Sequence, residues 1–143
     1  VSALLDHIDG LLLNDSEAKL MTGKTNAVAA GLEIARRVRR FVVVKKGEHG
    51  SLLFAGEKVC ALPSYPAQKV VDPTGAGDSF AGAMMGYLAA VDSFDAPALR
   101  KAIALGTVTA SIELEDFSLN RFLTTTRADI DARLAQYKEL TTF

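Results

Sequence analysis

The sequence lacks the features that mark several large classes of protein. Its 143 residues include no Trp, two His, four Pro and one Cys. The single Cys60 excludes an internal disulfide and favours a reducing, cytoplasmic compartment. No apolar run approaches the ~20 residues that a membrane-spanning helix needs, and no signal peptide opens the chain. The formal net charge of −1 offers no basic surface, so we expect neither nucleic acid nor membrane as a partner.

What is present is the composition of a globular protein with a packed interior. Hydrophobic residues make up 49% of the chain and charged residues 23%. Apolar runs that suit buried strands alternate with segments of helical periodicity, which predicts an α/β fold with a mostly parallel sheet. The predicted strands cover residues 11–13, 41–44 and 70–71, with antiparallel edge strands at 51–54 and 58–62. The predicted helices cover residues 15–21, 26–38, 76–90, 96–113 and a last segment after position 126.

The most informative segment is 70–82, which reads V-V-D-P-T-G-A-G-D-S-F-A-G. It is typical of a strand end, a glycine turn and the start of a helix. Gly75 and Gly77 can adopt backbone angles that bulkier residues avoid, so their N–H groups can converge on one anion. The positive end of the following helix points at the same place, and Asp78 lies in its first turn. An anion hole beside a carboxylate suits transfer of a phosphoryl group to a hydroxyl, because the amides hold the developing charge and the carboxylate takes the proton.

The same segment departs from three other glycine-rich motifs. A Walker A loop needs Lys and then Ser or Thr after Gly82, and the chain has Ala and Met there. A dinucleotide fingerprint that starts at Gly75 needs a Gly in its sixth position, and the chain has Phe. A serine hydrolase built on Ser79 is a remote alternative, because Ala81 replaces the last glycine of the nucleophile elbow and no His follows it.

On these residues the chain resembles the ribokinase-like (PfkB) family of carbohydrate and nucleoside kinases, whose signature D-P-T-G-A-G-D stands at positions 72–78. The resemblance implies a ribokinase-like, Rossmann-type sandwich flanked by helices. It implies ATP as the phosphoryl donor, Mg²⁺ as the metal ion and a hydroxyl of a sugar or nucleoside as the acceptor. It makes Asp78 the catalytic base that also binds the acceptor, and Gly75, Ala76 and Gly77 the anion hole.

Residues 14–18, N-D-S-E-A, follow a predicted strand and resemble the NxxE motif of the same family, which acts on magnesium and phosphate. Mg²⁺ prefers oxygen ligands and keeps several waters, so Glu17 would act on the metal through water. A structural explanation of the same residues stays open. Asn14 would cap the next helix, and Glu17 would place an acid in its first turn.

Lys45, Gly47 and Gly50 follow a buried strand at the place where the family has a GxxG turn against the nucleotide. Gly47 would let the backbone approach ATP closely. Lys45 would place a point charge on the γ-phosphate, or it is an ordinary solvated Lys at a strand end. The resemblance also places Ala104 and Thr107 in the adenine pocket, where small residues admit a flat ring. Plain helix packing explains those two residues nearly as well.

Asp72 and Thr74 match positions that hold a monovalent cation in some family members, and a carboxylate with a carbonyl would suit K⁺. The rest of that site lies in a loop, residues 113–118 here, which lacks the glycine common in ribokinases. Asn14, Lys45 and Asp72 all follow predicted strands. We therefore expect them to share one edge of the sheet, where ligands bind in such folds.

The resemblance spans nearly the whole chain but only the C-terminal half of a family member. We therefore expect residues 1–143 to be the nucleotide-binding and catalytic half of a PfkB-type kinase, without the half that carries the lid and most acceptor contacts. A non-catalytic nucleotide-binding fragment is the alternative, because lost alignment of the acceptor can cost ~7–11 kcal/mol of barrier lowering. Uncovered strand edges tend to self-associate, so we also expect a homo-oligomer.

Overall fold

The computed structural model describes residues 2–142, and the chain forms two compact units that divide between Ser64 and Tyr65. The first unit contains β1 (Gly10–Asn14), α1 (Asp15–Thr22), α2 (Ala27–Ala35), β2 (Phe41–Lys45), β3 (Ser51–Ala55) and β4 (Lys58–Leu62). The second contains α3 (Ala76–Val91), α4 (Ala96–Glu113) and α5 (Arg127–Thr141). Short 3₁₀ turns occupy Ser2–His7, Gly47–His49 and Asn120–Leu123. Among residues 2–142, no helix combines the length and the apolarity needed to cross a bilayer.

The first unit is built on a four-stranded mixed sheet in the order β1-β2-β3-β4. The β1 and β2 strands are parallel, with α1 and α2 in the connection between them. The pairs β2–β3 and β3–β4 are antiparallel. The predicted α/β class and the antiparallel strands at the sheet edge are therefore confirmed, while the parallel part of the described sheet is limited to one pair.

The core of the first unit lies where α1 and α2 pack on one face of the sheet. The run 41–44 of β2 is buried on both faces, as its unbroken apolar sequence predicts. Burying one such valine or phenylalanine side chain contributes about 1.5–3 kcal/mol. Gly31 of α2 lets the helix come close, because a Cβ there would lie 2.2 Å from the ring of Phe54. Cys60 lies in β4 and is half-buried, so it is more exposed than a core strand residue.

The second unit is helical, with α3 packed along α4. Phe80, Met84 and Leu88 recur at four-residue spacing and form the buried stripe of α3. The two helices lie close together at Gly106 of α4, since a Cβ there would lie 2.8 Å from the carbonyl oxygen of Phe80. The backbone of α3 therefore rests on α4 near its N-terminal end, and α4 fixes where that end lies.

The strand predicted at residues 70–71 is absent from the described structure. Val70 and Val71 are exposed, and the Val71 N–H donates to the carbonyl oxygen of Leu114 at 2.7 Å. The segment is thus held by the C-terminal end of α4 rather than by a neighbouring strand. Asp72 therefore follows no strand, and the reason for expecting it at the sheet edge of Asn14 and Lys45 does not hold.

Candidate functional site

The predicted site residues of the first unit gather where β1 and β2 end. Asn14 is the last residue of β1 and lies directly opposite Lys45, the last residue of β2. Lys45 in turn pairs with Ser51 of β3. Side chains of directly paired residues project from the same face of a sheet. The structure therefore brings Asn14 and Lys45 together, and it adds Ser51, whose hydroxyl is buried without a hydrogen-bond partner.

Asn14 and Glu17 form a reciprocal cap at the start of α1. The Glu17 N–H donates to Asn14 Oδ1 at 2.8 Å, and the Asn14 N–H donates to Glu17 Oε2 at 2.7 Å. This capping box satisfies two amides that the helix leaves free. Asn14 and Glu17 thus cap the helix, as the structural explanation of the motif predicts. The Glu17 carboxylate is exposed, and any contact with magnesium would come in addition to its hydrogen bond at the start of the helix.

Gly47 and Gly50 close a tight turn after β2. The Lys46 N–H donates to the Gly50 carbonyl oxygen at 2.8 Å, and both glycines have positive φ, +56° and +82°. At Gly50 a Cβ would lie 2.1 Å from the carbonyl oxygen of Leu62, so only glycine fits. At Gly47 no atom lies within 4 Å of that position, which leaves its backbone open to approach.

In the second unit, the Gly75–Gly77 turn starts α3 in an unusual way. Gly75 is the N-cap residue with φ +99° and ψ −12°, and it brings no side-chain hydrogen bond to the helix. The other four helices α1, α2, α4 and α5 are each capped by an Asn, Asp or Thr side chain. An N-terminus without a side-chain cap presents amides and a positive dipole end to an incoming anion.

The three residues of the predicted anion hole differ in conformation. Only Gly75 has positive φ, whereas Ala76 and Gly77 already belong to the first turn of α3. The Ala76 N–H makes a long 3.3 Å bond to the Pro73 carbonyl oxygen. Gly75 therefore uses the backbone freedom that both glycines have, whereas Gly77 contributes a helical position without a side chain.

Asp78 lies in the first turn of α3 and is exposed. Its N–H bonds the Gly75 carbonyl oxygen at 3.0 Å, which ties the carboxylate-bearing residue to the glycine turn. Ser79, one residue further, is a half-buried helical residue whose N–H bonds the same oxygen. A nucleophile elbow requires a strand directly before the turn, and residues 70–71 form none. The local backbone thus disfavours the serine hydrolase.

Asp72 holds two backbone segments together. One carboxylate oxygen accepts from the Thr74 N–H at 2.9 Å, and the other accepts from the Ser118 N–H at 3.2 Å. These hydrogen bonds, the one from Thr74 first, lower the pKa of Asp72. The loop after α4 is therefore tied to the segment that leads into the glycine turn, and Asp72 stays ionised at neutral pH.

Glu113, the last residue of α4, is the group that sequence reasoning missed. It is fully buried, both carboxylate oxygens lack a partner, and a Cβ on Gly75 would lie 3.2 Å from its Oε1. Burial, and then the negative charge of Asp72, raise the pKa of Glu113. A signal existed, because the buried helical positions Leu99 and Gly106 recur at seven residues and the next such position is 113.

The raised pKa of Glu113 predicts how stability depends on pH. The unfolded chain ionises this group near its ordinary pKa of about 4.3, while the folded chain keeps its proton to higher pH. The folded state then binds more protons, so stability falls as pH rises from about 4.3 through the raised pKa. We expect the Tm of the natural sequence to drop below that of Glu113→Gln progressively over this window. Thermal unfolding of both at pH 4 to 9 measures the difference, and a constant gap would contradict it.

Two further predicted residues, Ala104 and Thr107, lie three positions apart on α4 and are both half-buried. They share a helix face, as an adenine contact requires, and as ordinary packing also allows. Within the described range no group of three or more His, Cys, Asp or Glu side chains could hold a metal ion.

An uncapped glycine turn at a helix start, with a carboxylate in the first turn of an α/β protein, defines a class of phosphate-binding sites. Comparisons with known proteins identify the family of the chain. The profile of the pfkB family carbohydrate kinases matches residues 1–126. The chain belongs to the pfkB carbohydrate kinase family.

Individual relatives are named as nucleoside kinases or ribokinases. A nucleoside kinase of Methanocaldococcus jannaschii is 32% identical over 115 residues, which are 78% of this chain and 34% of that protein. A mouse (Mus musculus) ribokinase is 39% identical over 82 residues, 53% of this chain and 25% of that protein. The structure of a Burkholderia thailandensis nucleoside kinase in complex with inosine is 28% identical, with a TM-score of 0.77 over 95% of this chain and 43% of that one. The ribokinase-like fold is thereby confirmed, and the match covers between 21% and 34% of the length of the curated relatives.

Proposed function

We propose that this chain is the nucleotide-binding and catalytic part of an ATP-dependent phosphotransferase whose acceptor is a hydroxyl of a sugar or nucleoside. One observation carries the proposal: among the five α-helices of residues 2–142, α3 alone lacks a side-chain cap, and Asp78 stands in its first turn. The names of the relatives support the acceptor class, since they include nucleoside kinases and ribokinases. The residues that contact the acceptor determine which sugar or nucleoside is phosphorylated.

In the proposed reaction, ATP places its γ-phosphoryl group at the start of α3. The N–H groups of Gly75, Ala76 and Gly77 and the helix dipole stabilise the charge that develops on the phosphoryl oxygens. Asp78 accepts the proton of the acceptor hydroxyl as its oxygen bonds to phosphorus and the bond to ADP breaks. The exposure of Asp78 leaves its carboxylate accessible to an acceptor.

The residues at the ends of β1 and β2 hold the nucleotide side of the site in this proposal. Lys45 provides a positive charge for the phosphates, and the open backbone at Gly47 and the turn at Gly50 approach the nucleotide. Ala104 and Thr107 face the adenine. These contacts are inferred from the family motif and from where the described backbone ends its strands.

Two metal ions belong to the proposal. Mg²⁺ bound with ATP neutralises phosphate charge, and Glu17 orients it through water. K⁺ is assigned to Asp72 and Thr74, an all-oxygen donor set. Each carboxylate oxygen of Asp72 accepts one amide proton and keeps a further lone pair for a cation.

The activity is tested by incubating the enzyme that contains this chain with ATP, Mg²⁺ and a panel of sugars and nucleosides. ADP release that depends on one acceptor, with the phosphorylated product identified by mass, is the expected result. Binding of ATP without any phosphorylation would favour a non-catalytic nucleotide-binding protein. Absence of ATP binding would contradict the proposal as a whole.

Substitution of Glu17 by Gln separates its two roles, because Gln can complete a capping box as well as Glu. We expect the Mg²⁺ concentration at half-maximal rate to rise several-fold, with a smaller change in the KM of the acceptor, since the charge toward metal-bound water is lost. Asp15→Asn is the matched control, because Asp15 lies in the same turn but pairs with Lys19 at 2.9 Å. If Glu17→Gln and the natural sequence gave the same Mg²⁺ titration, the motif would have a capping role alone.

A further inference from the structure

The segment that leads into the glycine turn, residues 65–74, contains no helix or strand. Its position therefore depends on hydrogen bonds to neighbouring elements rather than on a regular structure of its own. Near the turn, the Val71 N–H donates to the Leu114 carbonyl oxygen at 2.7 Å. The Asp72 carboxylate accepts from the Ser118 N–H at 3.2 Å. The loop after α4 thus fixes the place where the segment enters the turn.

That loop is held in turn by an arginine of α5. Arg133 donates to Glu115 Oε1 at 2.5 Å, and Arg121 donates to the other oxygen, Oε2, at 3.2 Å. Arg133 also donates to Ser111 Oγ on α4 at 3.2 Å, so its guanidinium bridges the helix and the loop that follows it. The Arg133 side chain is 18% exposed, and an ion pair at such burial is screened less than one at the surface.

The same guanidinium reaches the beginning of the segment. Its central carbon lies 5.1 Å from the centre of the Tyr65 ring, which is within the range of a cation–π contact. The Tyr65 hydroxyl donates to Gln136 Oε1 at 3.0 Å, and the Tyr65 ring lies 6.5 Å from that of Tyr137, both on α5. A planar guanidinium can stack on a ring while it bonds a carboxylate and a hydroxyl, which the single ammonium of lysine cannot do.

Resting on the proposed function, we propose that Arg133 is a positioning residue for the phosphate site, which fixes residues 65–74 at both ends and thereby sets where the Gly75–Gly77 turn lies. Arg133 acts through Tyr65 at one end of the segment and through Glu115 and its loop at the other, and it touches neither phosphate nor acceptor. The amides of the turn have to meet the charge that develops on the phosphoryl group, and a misplacement of about 1 Å can cost about 100-fold in rate.

Arg133→Lys separates positioning from folding. The lysine keeps a positive charge toward Glu115, but its ammonium cannot also bond Ser111 and stack on Tyr65. The buried stripe of α3 that packs on α4 is apolar, so the unit should still fold. We expect kcat per ATP site to fall about 10- to 100-fold, with a much smaller change in the Kd of ATP, because the loss falls on alignment of the phosphoryl group.

The test uses the enzyme that contains this chain, at fixed concentrations of Mg²⁺ and K⁺. Steady-state kinetics with a saturating acceptor give kcat, and calorimetry gives the number of ATP sites and their Kd. Arg127→Lys is the matched control and should leave kcat per site unchanged, because Arg127 lies on the same helix, is 78% exposed and pairs with Asp131 at 3.0 Å. A second variant, Tyr65→Leu, removes the ring beside the guanidinium and should reproduce part of the loss.

Amide hydrogen exchange provides a readout that a general loss of stability would not give. In Arg133→Lys the amides of Val71 and Ser118 should exchange several-fold faster, while that of Ile103 inside α4 keeps its rate. An unchanged kcat per ATP site in both Arg133→Lys and Tyr65→Leu would overturn this inference and leave the proposed function intact.

A purely structural role of Arg133 would give a different result. The number of ATP sites would fall, kcat per remaining site would stay normal, and exchange would rise throughout α3 and α4, which would also overturn the inference. The proposed function fails separately, if the natural enzyme phosphorylates no sugar or nucleoside. Exchange at Val71 and Ser118 would then still show whether Arg133 fixes the segment.

Discussion

Asp78→Asn is expected to lower kcat at least about 100-fold in the enzyme that contains this chain, with ATP affinity nearly unchanged. Asparagine keeps the shape of the side chain and its place in the first turn of α3, but it cannot take the acceptor proton. The loss of its charge from the helix N-terminus costs only about 0.3–1 kcal/mol. The large effect should therefore fall on the chemical step and not on folding.

Steady-state kinetics with a saturating acceptor, and ATP binding by calorimetry, separate the two effects of this substitution. Asp92→Asn is the matched control, because Asp92 is an exposed acid at the other end of the same helix. Near-normal turnover of Asp78→Asn would remove the residue from the role of base. An esterase activity that disappears in Ser79→Ala would instead favour the hydrolase.

Gly75→Ala is expected to damage both the fold and the site. Its φ of +99° is strained for an alanine, at about 1–2 kcal/mol, and the new Cβ would lie 3.2 Å from Glu113 Oε1. Relief of either conflict moves the turn whose amides we propose to face the phosphoryl group. Loss of one well-placed donor lowers kcat about 10²–10³-fold in enzymes with comparable anion holes, and we expect an effect of this size.

Gly82→Ala provides the comparison within the same helix. Gly82 lies on α3 with no atom within 4 Å of its Cβ position, so alanine should stabilise the fold by about 0.5–1 kcal/mol and leave kcat unchanged. Thermal unfolding and steady-state kinetics of both variants measure the two effects on stability and on kcat. Equal stability and turnover in Gly75→Ala and Gly82→Ala would show that the N-cap glycine has no special function.

The features that sequence predicts well here are those set by short-range interactions. Asn14 caps its helix as expected, and Asp95 and Thr126 cap theirs in the same way, because each cap is completed by an amide within three residues. The glycine turn and the first-turn acid at positions 75–78 follow from the same local chemistry. The proposed functional roles of these residues come from the family motif, because short-range interactions do not indicate them.

The features that sequence predicts poorly depend on partners distant in the chain. Val70 and Val71 have the composition of a strand, but a strand needs a neighbour, and this segment bonds the end of α4 instead. Glu113 lies in the acidic stretch E-L-E-D, which reads as a solvated helix end. Its burial becomes evident only when the buried face of α4 is followed for seven residues beyond Gly106.

The uncapped start of α3 has a consequence for motion. A helix whose first amides lack a side-chain acceptor opens more readily at that end, so the first turn from Ala76 to Ser79 should exchange its amide protons faster than the capped start of α4. A bound phosphate would add an acceptor to the backbone oxygens that already accept from Ala76, Asp78 and Ser79, and it would slow that exchange. If α3 binds phosphate as proposed, ordering of its first turn and recognition of the ligand become one equilibrium.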